Sequence, residues 1–170
     1  MKKLIPLFGI LLAAVVVMST GAFTSVTADR EATIEVTDDA SALLALEPTE
    51  TANGAYAYQN GDKLTIDLSA VDGAGVNVDA ITTIDEVFTI TNNGTQAVDI
   101  TISWSGDNAG KVNFGESAFT AGAAVSGDTS VDLASLGSGG TTTISIAIDS
   151  DGLSDGDELI DTITITATAN

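Results

Sequence analysis

The chain contains no cysteine and no histidine, and its five lysines and arginines stand against 24 aspartates and glutamates. Without cysteine there is no disulfide framework, thiol nucleophile, iron–sulfur site or thiolate zinc site. Without histidine there is no Ser-His-Asp triad, no Cys-His pair, no H-E-x-x-H metal helix and no imidazole proton shuttle. Five cations cannot replace the counterions of a phosphate backbone, so nucleic acid is excluded as a partner. Proline occurs twice and tryptophan once, and no proline-rich linker divides the chain. The 170 residues suggest one domain. A hydrophobic content of 44% is ordinary for a folded chain, so the acidity overlies a real core and is no sign of disorder.

The N-terminus reads as a targeting segment. Lys2 and Lys3 form a basic start, Leu4 to Met18 is a nearly unbroken apolar run, and the small residues Ser19, Thr20, Gly21 and Ala22 follow. The run is shorter than the roughly 20 residues of a bilayer span, and the small residues suit a signal peptidase. Residues 1–22 are therefore expected to be a secretory signal peptide, with an uncleaved anchor as the alternative. Cleavage after Ala22 starts the mature chain at Phe23; cleavage after Ala28 starts it at Asp29. The first is preferred because it directly follows the apolar run. With no cysteine the chain is not a lipoprotein, and no membrane association is expected after cleavage. The expected location is extracellular or at the cell surface.

Removal of residues 1–22 leaves three cations, Arg30, Lys63 and Lys111, against all 24 acids. Such a charge makes for strong self-repulsion in dilute buffer. At molar salt the Debye length falls to about 3 Å and the repulsion is largely screened. Scarce lysine, abundant aspartate and few aromatics together match a protein of an extreme halophile; the alternative is an ordinary acidic secreted protein.

The mature chain reads as strands throughout. Threonine is abundant, and β-branched residues favour a pleated, half-buried surface. Leu64, Ile66 and Leu68 share one face, with Thr65 and Asp67 opposite. Val98, Ile100, Ile102 and Trp104 face in, with Asp99, Thr101 and Ser103 facing out. Ile144, Ile146 and Ile148 are expected to do the same with Ser145 and Ala147 between them. Ile163, Ile165 and Ala167 alternate with threonines. Period-two alternation places one face on a core and one in water. Asn92-Asn93-Gly94-Thr95 is expected to join Val87–Thr91 to Ala97–Trp104 as a hairpin. Further turn signals are Asn60-Gly61-Asp62, Gly137-Ser138-Gly139-Gly140 and Asp149 to Asp157. The spacing predicts an all-β, antiparallel two-sheet β-sandwich, of jelly-roll or immunoglobulin-like type, after an N-terminal signal-peptide helix.

Two segments carry functional candidates. Phe23 to Val36 is a potential strand at the new N-terminus, in which Ile34 and Val36 alternate with Thr33, Glu35 and Thr37. It could be an edge strand of its own domain, or a donor strand completing a neighbouring subunit's sheet, since strand addition satisfies an open edge through main-chain hydrogen bonds. In the second case Phe23, Val26, Ile34 and Val36 form the subunit interface. The second segment, Asp149 to Glu158, spaces carboxylates two and four apart among glycines, as calcium loops do. A metal there would be calcium, held by Asp149, Asp151, Asp155 and Asp157. Leu153 occupies a position where such a loop wants oxygen, and a solvated acidic turn is the preferred reading. No other cofactor is expected.

Asn93-Gly94-Thr95 is also the only N-glycosylation sequence, with Asn93 as the acceptor. Trp104 reads as core, and Tyr56 and Tyr58 share a strand face. Adjacent acids such as Asp85 and Glu86 could in principle act on a glycan, but with 24 acids such pairs arise by chance. No Gly-rich loop precedes a helix, so no phosphate cradle is present. No catalytic residues are assigned, and an enzyme is not expected.

Gly21-Ala22-Phe23, a polar stretch, Ala40-Ser41-Ala42-Leu43-Leu44-Ala45-Leu46, then Val87-Phe88-Thr89-Ile90-Thr91-Asn92-Asn93-Gly94 with Ile100-Thr101-Ile102, and the closing Leu136, Thr142, Ile144, Asp157, Leu159, Asp161 and Ile163 together resemble TasA/camelysin-type secreted proteins. The arrangement is similar to haloarchaeal secreted proteins related to that superfamily and covers nearly the full chain. The resemblance implies a jelly-roll-like subunit of an extracellular filament or biofilm matrix, as in TasA and the archaeal bundling pilins. It also implies that the mature N-terminal segment, Phe23 to Val36, inserts into the next copy as a donor strand. The metalloprotease activity ascribed to camelysin is not carried over, because this chain has no histidine. The expected function is head-to-tail homopolymerisation, a heterologous contact that does not close. The alternative is a monomeric surface binding module stabilised by calcium.

Overall fold

The computed structural model describes residues 42–70, 75–122 and 124–170. They form nine strands: β1 (Leu44–Pro48), β2 (Ala57–Asn60), β3 (Lys63–Ile66), β4 (Ile81–Asn92), β5 (Val98–Ser105), β6 (Val112–Gly115), β7 (Ser130–Asp132), β8 (Thr141–Asp149) and β9 (Thr162–Ala169). A four-stranded sheet runs in the order β1-β4-β8-β6, a three-stranded sheet in the order β7-β5-β9, and β2–β3 form a separate hairpin. Every pairing is antiparallel. The fold is the expected all-β sandwich, and all described residues belong to one compact unit.

Alternation places the core between the sheets. Phe88, Ile90, Ile144, Ile146 and Ile148 come from the four-stranded sheet; Ile100, Ile102 and Trp104 come from the three-stranded one; all are buried. Each such side chain contributes about 1.5–3 kcal/mol through the apolar surface it removes from water. The rings of Trp104 and Phe114 meet across the interface edge to face, with centroids 5.0 Å apart and planes inclined by 62°. The indole Nε1 donates to Ala109 O at 2.9 Å, so the one polar atom of this buried side chain is satisfied.

The connections differ from the hairpin expectation. From β4 to β9 each strand is followed by one in the other sheet. Asn92-Asn93-Gly94-Thr95 therefore joins no partners: β4 pairs with β1 and β8, and β5 with β7 and β9. The physical reason is in the backbone. A type I′ hairpin turn needs φ above zero at both central residues, and neither Asn93 nor Gly94 has it. The corner is instead built around Asn92, buried at 2% exposure. Its Oδ1 accepts from Gly94 N, and its Nδ2 donates to the carbonyls of Gln96, Leu136 and Gly137. The true tight hairpin is β2–β3, where Gly61 takes a φ of 65° in a two-residue loop between Asn60 and Lys63.

β8 also departs from simple alternation, because Ile144, Ser145, Ile146, Ala147 and Ile148 are all buried. β8 lies between β4 and β6, where Ala147 is flanked by Thr83 and Asn113. Ser145 sits under a bulge: β4 places Asp85, Glu86 and Val87 between Ile84 and Phe88, where β8 has Ser145 alone. Glu86 adopts a left-handed φ of 54°, and its N–H donates to Ser145 Oγ at 3.1 Å. The bulge is held from outside by Thr49 and Thr51 hydroxyls on Glu86 O and by Asn53 Nδ2 on Asp85 O. Asp85 and Glu86 thus serve as bulge residues, and Asp85 Oδ1 is buried without a hydrogen-bond partner. Gly54 closes this region because a Cβ there would overlap the Thr49 carbonyl. Tyr56 ends a short 3-10 turn and does not share a strand with Tyr58, which lies on β2.

Candidate functional site

The expected interface residues Phe23, Val26, Ile34 and Val36, and the signal segment 1–22, lie outside the described residues. Edge strands invite pairing with another chain, and folded proteins guard them by shortness, charge, proline or bulges. Most edges here are guarded. β7 has three residues and β6 four, and β1 carries Glu47 and ends in Pro48. β9 differs: it has eight residues, Thr-Ile-Thr-Ile-Thr-Ala-Thr-Ala, and pairs among the described residues with β5 alone. It carries no charge and no proline in a chain with 24 acids.

Beside β9 lies an open groove of about 1140 Å³. Phe88, Phe114, Ile146 and Ile148 reach it from the four-stranded sheet, Ile163 and Ile165 from β9, and Leu64, Ile66 and Leu68 from the chain around β3. Ile163, Ile165, Leu64, Ile66 and Leu68 are only partly buried, although all pack against the core. The rim carries Asp67, Asp155, Asp157, Glu158 and Asp161. Asp67 Oδ1 accepts from Ser69 Oγ at 2.6 Å and from Ser69 N at 2.8 Å. These two bonds, the hydroxyl foremost, hold its carboxyl below the usual carboxylate range.

The acidic loop is organised as turns. Asp149 Oδ1 accepts from Asp151 N at 3.0 Å, and Asp157 Oδ2 from Ser154 N at 2.8 Å. Gly152 and Gly156 supply left-handed φ values of 76° and 91°. Lys111 Nζ donates to Asp151 O at 2.8 Å. Buried Ser150 ties the loop to the start of β4 by accepting from Ala80 N at 3.0 Å. Asp149, Asp151, Asp155 and Asp157 are not brought together: among the described residues no three acids converge on a point a metal could occupy. The carboxylates of Asp149 and Asp157 thus cap turns of this loop.

Asn93 lies exposed on the corner between the sheets. The guarding pattern that sets β9 apart could have been noticed in the sequence, because the last nine residues contain no charge. The groove beside it could not, since its floor comes from strands far apart in sequence. No described helix is long and apolar enough to cross a membrane. Comparison of the chain with protein-family profiles, with curated proteins and with solved structures finds no match.

Proposed function

We propose that this protein is a secreted structural subunit that polymerises head to tail, each copy inserting its N-terminal segment along β9 of the next. The observation that carries the reading is the unguarded edge of β9 beside an open apolar groove. An added strand would satisfy the main-chain groups of β9 and cover Ile163 and Ile165.

The proposed occupant has the pattern such a groove needs. Val26, Ala28, Arg30, Ala32, Ile34 and Val36 would share one face of an extended chain, with Thr27, Asp29, Glu31, Thr33, Glu35 and Thr37 opposite. At about 3.3 Å per residue, Phe23 to Val36 is long enough to span all of β9. Arg30, the one cation of the segment, suits a groove lined by five carboxylates against the single cation Lys63. The resemblance to TasA-type subunits supports the same reading. The three cations against 24 acids left after residues 1–22 are removed make molar salt the medium in which such subunits could approach one another.

The cysteine-free chain allows a clean test. A protein carrying both Ile34→Cys and Ile165→Cys, treated with a short thiol cross-linker, is expected to give a ladder of covalent oligomers. The two single variants mixed together should stop at dimers. Cross-linking that leaves the double variant at monomer size would mean that the segment folds onto its own domain, and the reading would fail.

A further inference from the structure

Asn93 is the one asparagine of the chain followed at the second position by serine or threonine. The two asparagines at the corner have opposite surroundings. Asn92 is buried, with its amide engaged by three carbonyls. Asn93 and Thr95 are exposed. The corner is pinned from its inner side, by Asn92 Oδ1 on Gly94 N and by Ser138 Oγ on Gly94 O at 2.7 Å.

We propose that Asn93 carries an N-linked glycan, added after export. In the transfer, Asn93 Nδ2 forms a bond to the anomeric carbon of a lipid-linked oligosaccharide. The bond from that carbon to the lipid phosphate breaks, the phosphate leaves with the electron pair, and one amide proton is lost. Nothing is oxidised or reduced. Nδ2 bears two hydrogens and donates one to Ala42 O at 3.0 Å. Substitution replaces one hydrogen and leaves one N–H, the number the bond to Ala42 O requires. The Asn93 N–H donates to Leu43 O at 2.8 Å, so the sugar would stand beside Leu43, a leucine 78% exposed. None of residues 92–97 lines the groove beside β9. The glycan is thus compatible with strand donation, and it requires only export.

Peptide mapping by mass spectrometry of the full chain secreted from its own host tests this. The peptide containing Asn93 is expected to be heavier than its sequence by whole sugar residues. The excess should vanish in Asn93→Gln and Thr95→Ala and persist in Thr95→Ser. Thr95→Ala leaves every hydrogen bond of Asn93 in place, so its loss of sugar, with an unchanged circular dichroism spectrum, cannot be attributed to misfolding. A wild-type peptide at its bare mass, or an excess that survives Thr95→Ala, would overturn the proposal.

Discussion

Leu136 O accepts hydrogen bonds from Asn92 Nδ2 at 2.9 Å and from Val98 N at 3.0 Å. One carbonyl thereby joins the end of β4, in one sheet, to the start of β5, in the other. The two lone pairs of a single acceptor hold the corner at which the chain changes sheets.

Replacing Asn92 with Ala takes a donor from Gln96 O and the acceptor from Gly94 N, while Leu136 O and Gly137 O keep the backbone donors Val98 N and Gly140 N. The expected loss is about 1–3 kcal/mol, the cost of leaving a buried polar group unmet. Asn92→Asp should be worse at neutral pH, because it turns a carboxylate toward carbonyl oxygens. Denaturant titration in molar salt reads both. A loss below about 0.5 kcal/mol for Asn92→Ala would show that the corner does not depend on this side chain.

Trp104 is the only tryptophan, and it lies 5% exposed against Phe114. Its fluorescence should be blue-shifted in the folded chain and move to the red in one step on unfolding. Trp104→Ala should destabilise by about 3–5 kcal/mol through the cavity it opens. Native emission at the wavelength of free tryptophan would contradict the packing.

The Asp67 carboxyl should titrate below the usual carboxylate value in a carbon-detected pH series, and Ser69→Ala should raise it toward that value. Because the folded-state value is depressed, the stabilising contribution is present above the unfolded-state value. It is lost as pH falls through the folded one. An unchanged Asp67 titration in Ser69→Ala would sink this assignment.

Ile165→Lys puts a charge on the groove side of β9, where the proposed strand would lie. Assembly should be abolished while the circular dichroism spectrum stays that of the wild type. Thr141→Lys, an exposed change at the start of β8, should leave assembly intact. Equal assembly by both variants would remove the groove from the account.

Strand positions were legible because alternation is local. Val98 to Trp104 and Ile144 to Ile148 read correctly as strands from their spacing, and Trp104 as core. The partner of each strand was not legible. Asn-Gly after β4 reads as a hairpin unless one sees that Asn92 reaches carbonyls more than 40 residues away. The burial of Ser145 and Ala147 depends on a bulge in β4 and on neighbours in two other strands. The spacing of Asp149 to Asp157 reads as a solvated acidic turn with a calcium loop as the alternative, because turn-capping aspartates and metal-ligating ones can share a spacing. What separates them is whether the oxygens converge or return to their own backbone. The expected interface residues of Phe23 to Val36 lie outside the described residues.

The central claim is that Phe23 to Val36 of one copy completes the sheet of the next. Electron microscopy of the mature protein at about 2–4 M salt, where its charges are well screened, beside a version lacking Phe23 to Val36, tests it directly. The account predicts filaments from the first, lost on dilution to low salt, and none from the second. Monodisperse particles from both, or filaments from both, would contradict it.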